Sequence, residues 1–215
     1  MPVFDGFERW PTLDELDALG AGSATTGSVS MFIIPNITPP FTTVESAFAC
    51  RPAPDEFCVK RKEINAVHEQ FSGKPTDSAV DFVHVGCPHA SFEEMKEYGR
   101  LLEGKVVADG VELWVTTSRA VKLLAEQNGI VRHITKSGAR VITDTCPMSS
   151  HFAQTTSPDR TIVLAPPWMR TMVIDSAKQA KYVRDMIRCS TLLTNTEAAI
   201  ETAVSGKFVA PKTEA

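Results

Sequence analysis

No apolar run in this sequence approaches the length needed to span a bilayer, and the opening Met1-Pro2-Val3-Phe4-Asp5 has neither a basic stretch nor an apolar one behind it. No membrane segment and no export signal are therefore read, and a cytoplasmic location is the expectation. Clustered positive charge is lacking too. Lys and Arg total 22 against 26 Asp and Glu, the net charge is −4, and the basic residues are scattered. A surface that grips nucleic acid needs a basic stripe, so no nucleic-acid partner is expected. Cysteine is sparse, with five residues at positions 50, 58, 87, 146 and 189. An odd count without an export signal argues against a disulfide framework and leaves reduced thiols or metal ligands. There is no internal repeat and no low-complexity tract.

The composition present is that of a folded globular chain, 43% hydrophobic and 22% charged. Its 215 residues suffice for one sizeable α/β core, or one core and a smaller lobe. Thr12 and Glu15 form a capping box for a first helix whose Leu13, Leu16 and Leu19 share a face, and Gly20, Gly22 and Gly27 loosen it. Val29 to Ile34 reads as a buried strand, Phe57 to Lys60 as a short strand, and Lys62 to Phe71 as a helix. The polar stretch Ser72 to Ser78, with Gly73 and Pro75, then separates an N-terminal lobe (residues 1–76) from an α/β domain (residues 77–215).

Beyond that stretch strands and helices alternate. Strands are expected at Asp81 to Gly86, Glu112 to Thr117, Arg140 to Thr145, Thr161 to Ala165 and Ser190 to Leu193. Helices are expected after Ser91 (with Glu94 as its capping-box partner), after Ser118, after Asp175 and from Thr196. With no Asn-Gly hairpin between strands, the pattern implies an α/β fold, a mostly parallel sheet with helices on both faces.

In an open parallel sheet the carboxyl ends of the strands share one edge, and ligands bind beyond that edge. Three strand exits carry the chemistry here: Gly86-Cys87-Pro88-His89, Thr116-Thr117-Ser118-Arg119 and Asp144-Thr145-Cys146-Pro147. Each cysteine precedes a proline, which ends a strand and fixes the exit of the thiol. Cys87 and Cys146 are thus candidate metal ligands, the plainer reading being two small buried hydrophobes. His89 is a candidate ligand or proton donor, against a structural role at a helix start. Ser118 is first a helix cap, and beside Arg119 it also suits a carboxylate or phosphate. Asp175-Ser176-Ala177-Lys178 reads as a second anion-holding helix start or as an ordinary Asp cap. Cys50, Cys58 and Cys189 read as structural.

The run Phe82-Val83-His84-Val85-Gly86-Cys87-Pro88-His89-Ala90-Ser91-Phe92-Glu93-Glu94 is followed by Leu113-Trp114-Val115-Thr116-Thr117-Ser118-Arg119-Ala120-Val121 and then by Asp144-Thr145-Cys146-Pro147. In that order the three motifs resemble the large subunit of aconitase X, and flanking stretches at Leu16 to Phe32 and Asn195 to Lys207 are similar to the same family. The resemblance covers nearly all of the chain but only the later portion of that subunit. It implies an aconitase-like architecture and an iron–sulfur dependent hydro-lyase acting on a small hydroxy acid. The family's reactions are dehydrations of cis-3-hydroxy-L-proline or of mevalonate 5-phosphate, and the absence of a clear phosphate-binding loop favours the hydroxyproline branch.

The same resemblance implies metal ligation by Cys87 and Cys146, with a further cysteine from the earlier part of the large subunit. Ser118 and His89 become candidates for catalysis, and Thr116, Thr117 and Arg119 for substrate binding. Two thiolates are too few for a stable cluster, so a small swivelling subunit or the N-terminal portion of the large subunit is the implied partner. Two other readings compete. One is a non-catalytic α/β remnant or interaction module with buried thiols. The other is a small-molecule domain that holds an anion, without iron, at the helix starts of Ser118 and Asp175.

Overall fold

The computed structural model describes residues 1–72, 79–147, 166, 168–187 and 189–211. Two compact units emerge, Met1–Val67 and His68–Ala215. The first holds helix α1 (Leu13–Gly27) and the single turn α2 (Val44–Ala47), and α3 (Arg61–Phe71) runs across the boundary in sequence. The capping box at α1 forms as expected: Thr12 Oγ1 accepts from Glu15 N–H, and Glu15 Oε2 accepts from Thr12 N–H at 2.8 Å. The glycines do not break the helix, which runs on through Gly20 and Gly22 to a left-handed Ser28.

The strand expected at Val29 to Ile34 is reduced to one bridge between Val3 and Ile33. A ladder needs a partner that can donate along its length, and the segment that pairs with Ile33 among the described residues contains Pro2, which has no N–H. Phe57 to Lys60 likewise forms no strand, and all four residues are exposed.

The second unit contains a five-stranded, all-parallel sheet in the order β3-β2-β1-β4-β5. Its elements are β1 (Phe82–Ala90), α4 (Phe92–Leu101), β2 (Glu112–Thr117), α5 (Arg119–Gln127), α6 (Ile130–Lys136), β3 (Arg140–Thr143), β4 (Thr171–Ile174), α7 (Ala177–Tyr182), β5 (Ser190–Leu193) and α8 (Thr196–Ser205). Among the described residues no helix is long and apolar enough to cross a membrane.

Helices cover both faces, as the alternation implied. Val83, Val85, Leu113, Val115, Val173 and Leu192 point to one face and pack with Met95, Tyr98, Ile134, Ala199 and Ile200. Phe82, Trp114, Met172, Ile174 and Leu193 point to the other and meet Ala180, Val183 and Ile187 from α7 and the π-helical turn that follows it. β1, β2 and β4 are covered on both faces, and their sequences read as largely apolar runs.

In the second unit two elements escaped the sequence reading, as the short α2 did in the first. The strand β4 is only four residues long, and it is set up by a distant group: Asp81 Oδ2 accepts from the N–H groups of Arg170 and Thr171, each at 2.9 Å. The helix α6 starts directly at a left-handed Gly129 with no side-chain cap, so it carries no start signal. The helix expected to be capped by Asp175 is capped instead by Ser176, whose Oγ accepts from Gln179 N–H. The strand expected at Thr161 to Ala165 lies outside the described residues.

Candidate functional site

The strands β1, β2 and β3 follow one another toward one side of the sheet, whereas β4 lies on the opposite side of β1. The chain leaving β1 goes to a helix on one face, and the chain leaving β4 goes to α7 on the other. Loops that diverge in this way open a crevice at the carboxyl edge, where ligands bind in open α/β sheets. Cys87 stands on the β1 side of the crevice and Asp175-Ser176 on the β4 side.

The segment that presents Cys87 is held by β2. Register with β2 is regular through Val85↔Val115 and resumes at Ala90↔Thr117, so the intervening residues bulge from the ladder. Gly86 opens the bulge at φ 90°, and a Cβ there would collide with the backbone carbonyl of Thr116, so only glycine fits. The Thr116 hydroxyl donates to the Gly86 carbonyl, and the Thr117 hydroxyl donates to the Ala90 carbonyl at 2.6 Å. Adjacent threonines thereby pin both ends of the segment containing Cys87 and His89. Both are buried, at 2% and 0% exposure, with their hydroxyl protons committed to this task.

Cys87 is half-buried, and burial pushes its thiol up to about 11. The neighbouring Ser176 hydroxyl and Lys178 ammonium act in the opposite direction, and a charged Cys146 would raise it further. That last effect places the two cysteines within electrostatic reach of each other. Cys146, beyond the end of β3, packs with the Phe82–Trp114–Met172 cluster. None of the five cysteines is in a disulfide. Asp175, at the end of β4, accepts a 2.9 Å hydrogen bond from Thr196 Oγ1, yet burial, reinforced by the charge of Glu94, pushes its carboxyl up to about 7.

A second cluster lies along the β2–β3 side. Ser118 caps α5 by accepting from Val121 N–H at 3.1 Å. The anion at that helix start comes from within the protein. Asp144 Oδ1 accepts from Arg119 N–H at 2.9 Å, and Asp144 Oδ2 accepts from Arg119 Nε at 2.8 Å. Hydrogen bonding to Arg119 holds the Asp144 carboxyl below its usual range, with a smaller contribution from His89. His89 itself is exposed. Ser118, Arg119, Lys122, Thr143 and Asp144 line an open cavity that neither cysteine borders.

The predicted site residues thus fall into three settings. Cys87 and Cys146 lie at the carboxyl edge within electrostatic reach of each other, Ser118 and Arg119 gather around Asp144, and Thr116 and Thr117 turn inward to hold the β1 bulge. The sequence reading missed His84, Gln179 and the acid character of Asp175. All three depend on burial produced by distant chain segments, and only Asp175 had a local signal, as a helix-start residue.

The thiol chemistry can be set against an iron–sulfur group. Two thiolates match the ligand type such clusters take, and Ser176 and Lys178 near Cys87 partly offset the burial that favours its neutral thiol. Among the described residues no group of three or more Cys, His, Asp or Glu is arranged to hold a metal ion.

Residues 80–205 match the aconitase X third domain and residues 1–69 the aconitase X second domain. The phosphomevalonate dehydratase large subunit of Methanosarcina mazei is 30% identical over 96% of this chain and 45% of its own length. A cis-3-hydroxy-L-proline dehydratase of Hypocrea jecorina is 32% identical over 80% of this chain and 27% of its own. The crystal structure of Thermococcus kodakaraensis aconitase X in its holo-form superposes with a TM-score of 0.70 at 29% identity, over 89% of this chain and 44% of that one. The chain spans less than half the length of these relatives. The fold, the paired family domains and the sequence identity agree: this chain belongs to the aconitase X family.

Proposed function

We propose that this chain contributes two thiolate ligands, Cys87 and Cys146, to the iron–sulfur centre of a hydro-lyase that dehydrates a small hydroxy acid. What supports the reading is that both cysteines follow strands of one parallel sheet at its carboxyl edge, with Cys87 where the chain paths after β1 and β4 diverge and within electrostatic reach of Cys146. The remaining donors and much of the substrate pocket would come from a partner subunit or from large-subunit residues outside this sequence. The relatives' names support this division, since several are called large subunits.

When bound, such a centre with an open position supplies Lewis acidity toward a departing hydroxyl. The chain's own residues take the other tasks. Thr116 and Thr117 hold the bulge that presents Cys87. His89, exposed on that bulge, and Ser118, whose oxygen is the helix cap, are proposed to move the proton taken from the carbon beside the substrate carboxylate. Arg119 is proposed to exchange its Asp144 partner for that carboxylate.

Anaerobic reconstitution with ferrous iron and sulfide tests the ligand assignment. Visible sulfur-to-iron absorption is expected in the wild-type chain, lost in Cys87→Ala and in Cys146→Ala, and retained in Cys189→Ala. Because two thiolates bind a cluster weakly, a Co2+ titration runs alongside, in which thiolate-to-metal absorption in the near ultraviolet should fall by about half in each rim variant. Absorption indifferent to both rim variants overturns the proposal.

A further inference from the structure

A buried chain of polar groups runs from α7 through the centre of the sheet to the peptide that carries Cys87. His84, 1% exposed, places Nδ1 2.5 Å from Gln179 Oε1 and Nε2 2.9 Å from Thr116 Oγ1. The Thr116 hydroxyl donates its one proton to the Gly86 carbonyl, so His84 Nε2 must be the donor toward Thr116. A neutral imidazole has a single N–H, and Nδ1 is then an acceptor. With Gln179 Oε1 turned toward the ring, that acceptor faces another acceptor. Gln179 Nε2, meanwhile, is buried with no hydrogen-bond partner among the described residues.

Both faults disappear with the amide end turned over, which exchanges an acceptor for a donor in almost the same shape. Nε2 then donates to His84 Nδ1, and the oxygen is left with the easier position of an acceptor. The competing arrangement keeps Gln179 Oε1 toward the ring and makes His84 a cation that donates from both nitrogens. It leaves a charge inside the apolar face formed by Phe82, Met172 and Ile174, with the Gln179 amide still unpaired. Burial holds His84 down at about 4, which agrees with the neutral form.

We infer that Gln179 fixes His84 as the neutral Nε2–H tautomer, and that the directed chain Gln179 to His84 to Thr116 to the Gly86 carbonyl is a positioning device for Cys87. The carbonyl at its end belongs to the peptide that includes the Cys87 nitrogen, so the chain orients the exit of that residue. Its other end lies in α7, the same helix whose cap, Ser176, borders the Cys87 thiol. Residues on α7 and β1 thus share control of one sulfur. His84 and Gln179 are positioning residues, acting through Thr116. The functional meaning rests on Cys87 being a ligand, but the hydrogen-bond chain stands without it.

Two measurements on the full chain, without metal, test the inference. Long-range 15N–1H correlation spectra at neutral pH are expected to show one protonated and one unprotonated nitrogen for His84, the proton on Nε2, with the signal assigned by its loss in His84→Gln. An Nδ1–H or doubly protonated pattern overturns the inference. Alkylation by iodoacetamide, followed by peptide mass spectrometry, reads the rate at Cys87 relative to Cys189 in the same molecule. Gln179→Met and His84→Phe should each raise that ratio about tenfold, the weight of one net hydrogen bond, and His84→Gln should restore part of it. Gln179→Met keeps the size of the side chain and so covers the case in which His84→Phe does not fold. Variants that lower the melting temperature while leaving the ratio unchanged mark a merely structural role and overturn the positioning claim. Failure of iron–sulfur reconstitution in the wild type would count against the proposed ligand role and leave both readouts here intact.

Discussion

On one face of the sheet Val83, Val85, Leu113, Val115, Val173 and Leu192 meet α4, α6 and α8 almost entirely through apolar contacts. On the opposite face the column that begins with Phe82 continues into His84, and the one that begins with Trp114 continues into Thr116. Both faces are buried, so the polar column is not a concession to solvent. A neutral buried hydrogen-bond chain adds little net stability over an apolar replacement, but it fixes directions that methyl groups cannot. The first face holds the fold, and the second aims the strand exit at the rim.

The sharpest way to test this contrast is to damage each face once and compare. Leu113→Ala, on the apolar face at 1% exposure, should cost about 2–5 kcal/mol in urea unfolding, because the site loses buried methyl groups and keeps a cavity. Thr116→Val, nearly the same shape, should cost less, about 1–3 kcal/mol, from the unpaired His84 and Gly86 groups it leaves. A larger loss for Thr116→Val than for Leu113→Ala would reverse the assignment of roles.

A smaller effect separates the faces by pH. His84 has its folded value lowered to about 4, so its contribution to stability is present above the unfolded value near 6.5 and is lost as pH falls toward 4. Asp175 is the opposite case. Its folded value is raised to about 7, so the native state binds the extra proton, and stability from this group falls as pH climbs from about 4 through 7. Between pH 4 and 6.5 the two slopes oppose each other and should leave a shallow wild-type profile. Asp175→Asn should expose the His84 slope, with stability rising with pH over that range, and a profile still flat in this variant would show that the two groups do not titrate as described.

Much of the fold was legible because it is written locally. The capping boxes at Thr12 and Ser91, the Ser118 cap and the β2 and β5 boundaries all follow from residues within a few positions of each other. What depends on distant partners was not legible: β4 waits on Asp81, and the strand expected at Val29 to Ile34 finds only the single bridge to Val3 among the described residues. The site divides in the same way. Spacing brought Cys87 and Cys146 to one edge, but nothing near Thr116 or Thr117 in sequence says that their hydroxyls are used up inside the fold. Nor does anything near Arg119 announce Asp144, 25 positions away.

The placement of β4 beside β1 bears on the order in which the molecule assembles. Asp81 grips Arg170 and Thr171 across 89 and 90 positions of chain, whereas β1 and β2 are joined through a single helix. Closing the longer loop costs more entropy before any contact rewards it, and contacts of long sequence separation slow folding. The β1–β2 pair with its threonine clamp is therefore expected to gain amide protection first in pulse-labelling hydrogen exchange. The far wall of the crevice would follow, so a nascent chain would display Cys87 before Ser176 arrives to border it.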